Sequence, residues 1–292
     1  MKVGVVDIGT NSMRLLITDG LEDERRWVEV TGLGAGVDKT GELSDAAIER
    51  TIEVLGRFGA EMSRRGVSRT LAIATSASRD AANRNEFFDR AEQALGVRPT
   101  LIDGDSEARF AYSGAVGNDD GDFGVVVSDI GGGSTEIVTG ESSVSIDIGS
   151  VRLTERFLPD RPASVSQLAD AIGHVAGLFE GVDFAKVSRH IGVAGTWTSI
   201  AAIAQDLSRY EPQKVHGYVL ADDALDDVTE RLRGLTIEET AAIPSLDPAR
   251  APVILAGAVI ATLVSETLGT TETHISERDT LDGAAMELLA LA

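Results

Sequence analysis

The chain has no cysteine in 292 residues, which excludes disulfides, thiolate catalysis and cysteine-ligated metals. Its four histidines, at 174, 190, 216 and 274, form no HExxH and no zinc-like spacing, so each is expected on the surface or in a loop. No apolar run approaches the roughly 18 residues of a membrane span, and Met1-Lys2 leads straight into a strand, leaving no room for a signal peptide. These absences predict a cytoplasmic protein without a membrane partner. Basic residues are scarce: 26 Lys and Arg stand against 47 Asp and Glu, a formal net charge of -21 at pH 7. Such a chain does not coat itself with a nucleic-acid polymer, and it repels free polyanions at long range. An anion site in it must be locally basic, rich in amide N–H donors, or bridged by a metal. Apolar residues, by contrast, make up 43% of the chain, enough for two domains with cores of their own.

One stretch organises the rest. Residues 124–140, GVVVSDIGGGSTEIVTG, begin as a β-branched run typical of a strand buried on both faces. Asp129 ends it, followed by Gly131, Gly132 and Gly133, then Ser134, Thr135 and Glu136. Three glycines are costly in a regular element but suit a turn whose bare amides close around an anion; a plain structural turn is the alternative. Residues 2–18, KVGVVDIGTNSMRLLIT, align with this stretch without a gap at an offset of 122, placing Asp7 on Asp129, Gly9 on Gly131 and Ser12 on Ser134. The repeat implies two similar domains, each opening with a strand–Asp–glycine turn–strand hairpin. Two such loops facing across a cleft would clamp a phosphate chain, or a phosphate with its metal.

In chain order, strands are expected over 28–33, 70–74, 97–102, 143–148, 189–193 and 272–276. Gly34–Gly41 reads as a loop. Helices are expected from the Ser44 N-cap to Arg65, over 83–95, from the 103–110 region to about Val116, over 166–179, near 222–233, from Pro252 to Leu268, and over 283–291. Arg79, at a strand end, can pair with phosphate or simply with Asp80 or Glu86. Glu107 opens a helix in DGDSEARF; it is a candidate catalytic carboxylate, although Asp105 or Ser106 there can be a mere cap. Gly117–Asp122 is polar and short, as a hinge should be, dividing the chain at 120/121. Gly192–Ser199 is a third strand–glycine–helix junction able to meet an anion, with Trp197 read as buried.

The segments VVDIGTNSMRLLIT, IATSASRDAANR, SEARF, SDIGGGSTE, DIGSVRLTERF, GVAGTWTSIAAI, APVILAGAVIATL and SERDTLDG resemble, in this order, the exopolyphosphatase/guanosine-pentaphosphate phosphohydrolase (Ppx/GppA) family in its short form. The resemblance implies two actin-like, ribonuclease-H-like α/β domains with mixed five-stranded sheets around a cleft, over 1–120 and 121–292. The final helix would pack back on the first domain. It implies hydrolysis of the terminal phosphoanhydride of inorganic polyphosphate, with guanosine pentaphosphate (pppGpp) as the alternative substrate. An actin-like ATPase or sugar kinase, or a non-enzymatic binder, is the remaining reading.

The family roles fall on this sequence as follows. Glu107 would be the catalytic carboxylate. Asp7, Gly9, Thr10, Asn11, Ser12, Arg79, Gly131, Gly132, Gly133, Ser134 and Thr135 would bind phosphate. Asp129, Glu136 and Asp7 would serve the metal, Mg2+ with Mn2+ as a substitute, and K+ is a further candidate cofactor. The short family members also imply a homodimer and a preference for shorter polyphosphate. The acidic run is broken here as Asp105-Ser106-Glu107, and Ser128 replaces the usual aliphatic residue before Asp129.

Overall fold

The computed structural model describes residues 1–117, 124–182, 184 and 187–291. The chain divides into two compact units: one runs to Gly117 and resumes at Thr280, and the other ends at Asp279. The 120/121 boundary and residues 118–122 of the expected hinge lie outside the described residues; Gly117, its first residue, caps the helix Gly104–Val116.

In the first unit, β1 (Val3–Ile8) and β2 (Ser12–Thr18) form the hairpin that the repeat predicts. Then follow β3 (Asp23–Val30), α1 (Val37–Thr40), α2 (Asp45–Arg64), β4 (Arg69–Ala74), α3 (Ser76–Asp80), α4 (Arg84–Leu95), β5 (Thr100–Leu101) and α5 (Gly104–Val116). The sheet order is β3-β2-β1-β4-β5, with β1, β4 and β5 parallel. Both faces of β1 are covered. Val6 and Ile8 pack with Leu55, Phe58 and Phe87 of α2 and α4, while Val3 and Val5 pack with Phe110 of α5.

Three expectations are corrected in this unit. β3 starts five residues before the expected 28, because it is an edge strand whose charged run Asp23–Arg26 has no apolar alternation to betray it. The 97–102 strand shrinks to two exposed residues, and the 34–41 loop holds the short helix α1 between Gly36 and Gly41, both left-handed. Ser44 caps α2 as predicted, accepting from Ala47 N–H. The cap of α5, however, is Asp103, which accepts from Ser106 N–H.

The second unit holds β6 (Val125–Ile130), β7 (Thr135–Val138), β8 (Ser143–Ile146), α6 (Ser150–Phe157), α7 (Val165–Phe179), β9 (Arg189–Val193) and α8 (Ala194–Ala204). It continues with α9 (Pro212–Val215), β10 (Val219–Ala221), α10 (Asp222–Gly234), α11 (Ile237–Ala241), a 3-10 turn (Pro248–Arg250), α12 (Ile254–Leu268) and β11 (Glu272–Ile275). Its sheet has six strands, in the order β10-β11-β9-β6-β7-β8, rather than the expected five. The extra strand is β10, three residues that pair antiparallel with β11 and are too short to show a period. Trp197 is fully buried, within a core shared by α8 and α12.

The closing helix, α13 (Thr280–Ala290), belongs to the first unit. Leu281, Ala284, Ala285 and Leu288 complete the core on the α5 face of β1. At Gly283 an ideal Cβ would lie 2.0 Å from the Phe110 carbonyl oxygen, so α13 and α5 meet backbone to backbone. Arg26 adds an ion pair to Asp282 at 2.6 Å. Among the described residues, no helix is long and apolar enough to cross a membrane.

His190 corrects the expectation of surface histidines. It is 1% exposed, with Nε2 2.7 Å from Ser128 Oγ, Nδ1 3.0 Å from Thr273 Oγ1, and its ring edge-on to Trp197 at 5.3 Å. This also accounts for Ser128 within a buried strand: it is the hydrogen-bond partner of a buried imidazole. Burial, with a smaller contribution from His274, holds the His190 pKa down to about 3, from 6.5. The unfolded chain therefore takes up a proton below pH 6.5 that the folded one refuses until about 3. Stability due to this group is constant above that window and falls with decreasing pH inside it, by about 1.4 kcal/mol per pH unit. Denaturant unfolding from pH 7 to 4 should show a slope shallower by that amount in His190→Gln; identical slopes would refute the assignment.

Candidate active site

The residues in question gather at the carboxyl ends of parallel strands, where open α/β sheets carry their ligand sites. In the first unit, the β1–β2 hairpin closes with Gly9 N–H donating to Ser12 C=O at 3.1 Å. The loop carbonyls are held from behind: that of Thr10 accepts from Gly34 N–H, and that of Asn11 from Thr31 and Gly32 N–H. Among the described residues, the amides of Thr10 and Asn11 have no acceptor. The Thr10 hydroxyl accepts from Ala77 N–H at 3.2 Å, tying the loop to α3. From α3, Arg79 Nη1 donates to Glu107 Oε2 at 2.9 Å and to the Ile102 carbonyl at 3.0 Å. The side chains of Arg79 and Glu107 are only 21% and 13% exposed. The structure thus brings loop 9–12, Arg79 and Glu107 to one edge of one sheet.

In the second unit, Gly131 N–H donates to Ser134 C=O at 3.0 Å, the counterpart of the first closure at the same offset. The carbonyls of this loop are held by the start of α6. Gly131 C=O accepts from Ser150 N–H, Gly132 C=O from Val151 and Arg152 N–H, and Gly133 C=O from Arg152 Nε at 3.0 Å. Gly132 and Gly133 amides have no acceptor among the described residues. Amides with carbonyls tied back form a cradle for an oxyanion. Gly9 and Gly131 themselves spend their N–H groups on the hairpins, and the Thr135 hydroxyl donates to Ile148 C=O at 2.6 Å. These three donor groups are thus engaged within the protein.

Strand register separates the two hairpins chemically. Asp7 lies opposite Arg14, and Asp129 opposite Glu136. Arg14 Nε and Nη2 reach Asp7 Oδ2 at 2.8 and 2.5 Å, a buried pair. Asp7 Oδ2 is thereby matched by a cation. Asp129 and Glu136, 4% and 1% exposed, are by contrast two carboxylates opposed across a strand pair. Glu136 Oε1 also accepts from Ser145 Oγ at 2.8 Å. Among the described residues no group of three or more His, Cys, Asp or Glu converges. Two hard carboxylates fit Mg2+, which completes its shell with water and phosphate oxygens.

Sequence reasoning gave no role to Gly149 or Arg152, and did not use the contrast between Arg14 and Glu136. The signal for the latter was available: at the offset of 122, Arg14 falls on Glu136. At the β9–α8 junction Ala194 adopts a left-handed φ of 65°, which costs a non-glycine residue roughly 1–2 kcal/mol.

Known proteins share this fold over its whole length. A solved exopolyphosphatase-like protein superposes with a TM-score of 0.94 and 33% identity, covering 100% of this chain and 99% of its own. A Ppx/GppA family member from Aquifex aeolicus gives 0.83 and 30%, covering 100% and 98%. Exopolyphosphatase 2 of Mycobacterium tuberculosis is 37% identical, covering 98% of both chains. The model of the Ppx/GppA phosphatase family matches residues 23–290. The chain belongs to that family.

Proposed function

We propose that this protein is an exopolyphosphatase that releases orthophosphate from the end of inorganic polyphosphate. The observation that carries the reading is the second hairpin: a triple-glycine loop with its carbonyls tied back, beside two opposed carboxylates. A terminal phosphoryl group needs amides for its oxygens and a cation to offset its charge. In this reading each unit is an actin-like domain opened by an Asp–glycine hairpin.

The proposed roles use the contacts within each unit. The Thr10, Asn11, Gly132 and Gly133 amides, with Ser12 and Ser134, receive phosphoryl oxygens. Glu107, oriented by Arg79, positions the attacking water and accepts its proton as the water oxygen bonds to the terminal phosphorus. The bridging P–O bond breaks, and the shortened chain leaves with the electron pair. Asp129 and Glu136 would hold Mg2+, which would neutralise phosphate charge and so make the substrate acceptable to a chain of net charge -21.

The test is phosphate release from Mg2+-polyphosphate of defined lengths, beside pppGpp and ATP. Fastest release from polyphosphate supports the reading; faster turnover of pppGpp moves the substrate to the alarmone, and of ATP to an actin-like ATPase. A metal prediction accompanies it. Mg2+ at about 100 times its dissociation constant should stabilise the wild type by roughly 2.7 kcal/mol, seen as a rise in thermal midpoint, and Asp129→Asn should abolish the rise. An unchanged rise in that variant would place the ion elsewhere.

A further inference from the structure

The start of α6 is built against the triple-glycine loop more tightly than a helix of eight residues requires. An ideal Cβ on Gly149, its N-cap, would stand 2.4 Å from the Gly132 carbonyl carbon and 2.5 Å from Gly133 N, so the two backbones are in direct contact. Three successive α6 amides then take the Gly131 and Gly132 carbonyls. The remaining one, at Gly133, is taken by a side chain: Arg152 Nε, at 3.0 Å. Gly133 is the last glycine before Ser134, and with three adjacent glycines the loop has wide backbone freedom. The orientation of the Gly133–Ser134 peptide, and with it the setting of the adjoining Gly133 amide, therefore depends on what holds its carbonyl.

We propose that Arg152 is a positioning residue for polyphosphate hydrolysis, acting through its Nε–H bond to the Gly133 carbonyl. This rests on the reading that the triple-glycine loop receives phosphoryl oxygens. Arg152 acts through the loop rather than on the substrate: its Nε is engaged by the Gly133 carbonyl. A peptide free to rotate there misplaces a donor by about an ångström, enough to lower the rate substantially.

Two substitutions separate the hydrogen bond from the charge. Glutamine carries an N–H at the position of arginine Nε but no charge; lysine carries the charge but a methylene at that position. The experiment measures kcat and KM on Mg2+-polyphosphate for wild type, Arg152→Ala, Arg152→Gln and Arg152→Lys, with thermal midpoints in parallel and Gly132→Ala as a loop control. Arg152→Ala and Arg152→Lys should lose roughly 10- to 100-fold in kcat, while Arg152→Gln recovers most of it at a similar midpoint. Full activity in Arg152→Ala, or recovery by lysine and not glutamine, overturns the proposal. If Arg152→Ala does not fold, the glutamine–lysine comparison decides. If Gly132→Ala leaves kcat and KM unchanged, the loop is not the phosphate cradle, and the reading beneath the proposal falls instead.

Discussion

Glu107→Gln should lower kcat on polyphosphate by about 100- to 10,000-fold, the range for losing a positioned general base, with KM and thermal midpoint near those of the wild type. Glutamine is isosteric and its carbonyl can still accept from Arg79 Nη1, which in the wild type sits 2.9 Å from Glu107 Oε2. Arg79 therefore keeps its place, held also by the Ile102 carbonyl at 3.0 Å. What disappears is the negative charge and the capacity to take a proton from water. Phosphoryl transfer relies chiefly on positioning and charge, so the loss belongs toward the lower half of the range if Glu107 mainly orients water, and toward the upper half if it also removes the proton. Single-turnover phosphate release separates the chemical step from product release. A kcat within tenfold of the wild type would remove Glu107 from the mechanism.

Gly149→Ala carries the second large effect. The atoms its Cβ would meet, the Gly132 carbonyl group and Gly133 N at 2.4 to 2.5 Å, are backbone and cannot swing aside as a side-chain tip would. Either the triple-glycine loop or the start of α6 must shift. Overpacking of this kind typically costs about 1–3 kcal/mol, and an ångström of displacement in the loop costs about 100-fold in rate. Gly173→Ala is the matched control. Gly173 lies in α7 with nothing within 4 Å of its ideal Cβ, so alanine there should be neutral or stabilising, by up to about 1 kcal/mol from helix propensity. Polyphosphate turnover and thermal midpoints on the two variants check the contrast; equal behaviour would show that the Gly149–loop contact has no functional weight.

Much of the architecture is written locally, and those parts were legible. The β-branched run before Asp129 and the matching run before Asp7 are strands because buried β-strands need no helical period, and both hairpins close at the repeated glycine. Ser44 opens α2 because a hydroxyl there satisfies a free helix amide. Elements whose signal is weak within their own span were misjudged. The charged edge strand β3 and the three-residue β10 depend on neighbours to make them strands, and His190 is buried only because Ser128 and Thr273, 62 and 83 residues away, satisfy its nitrogens.

The sequence by itself determined that this chain carries two Asp–glycine hairpins, a candidate carboxylate at Glu107 and too little positive charge to hold a polyanion without amides or metal, because turn chemistry, periodicity and net charge are local or additive properties. Tertiary structure decided how those parts are divided. Strand register set Arg14 against Asp7 and Glu136 against Asp129, giving the two hairpins different charge partners. Packing delivered Arg79 to Glu107, α6 to the back of the triple-glycine loop, and α13 to the first unit. Those pairings join residues far apart in the chain, and which of many possible partners is met depends on how the sheets and helices close on their cores.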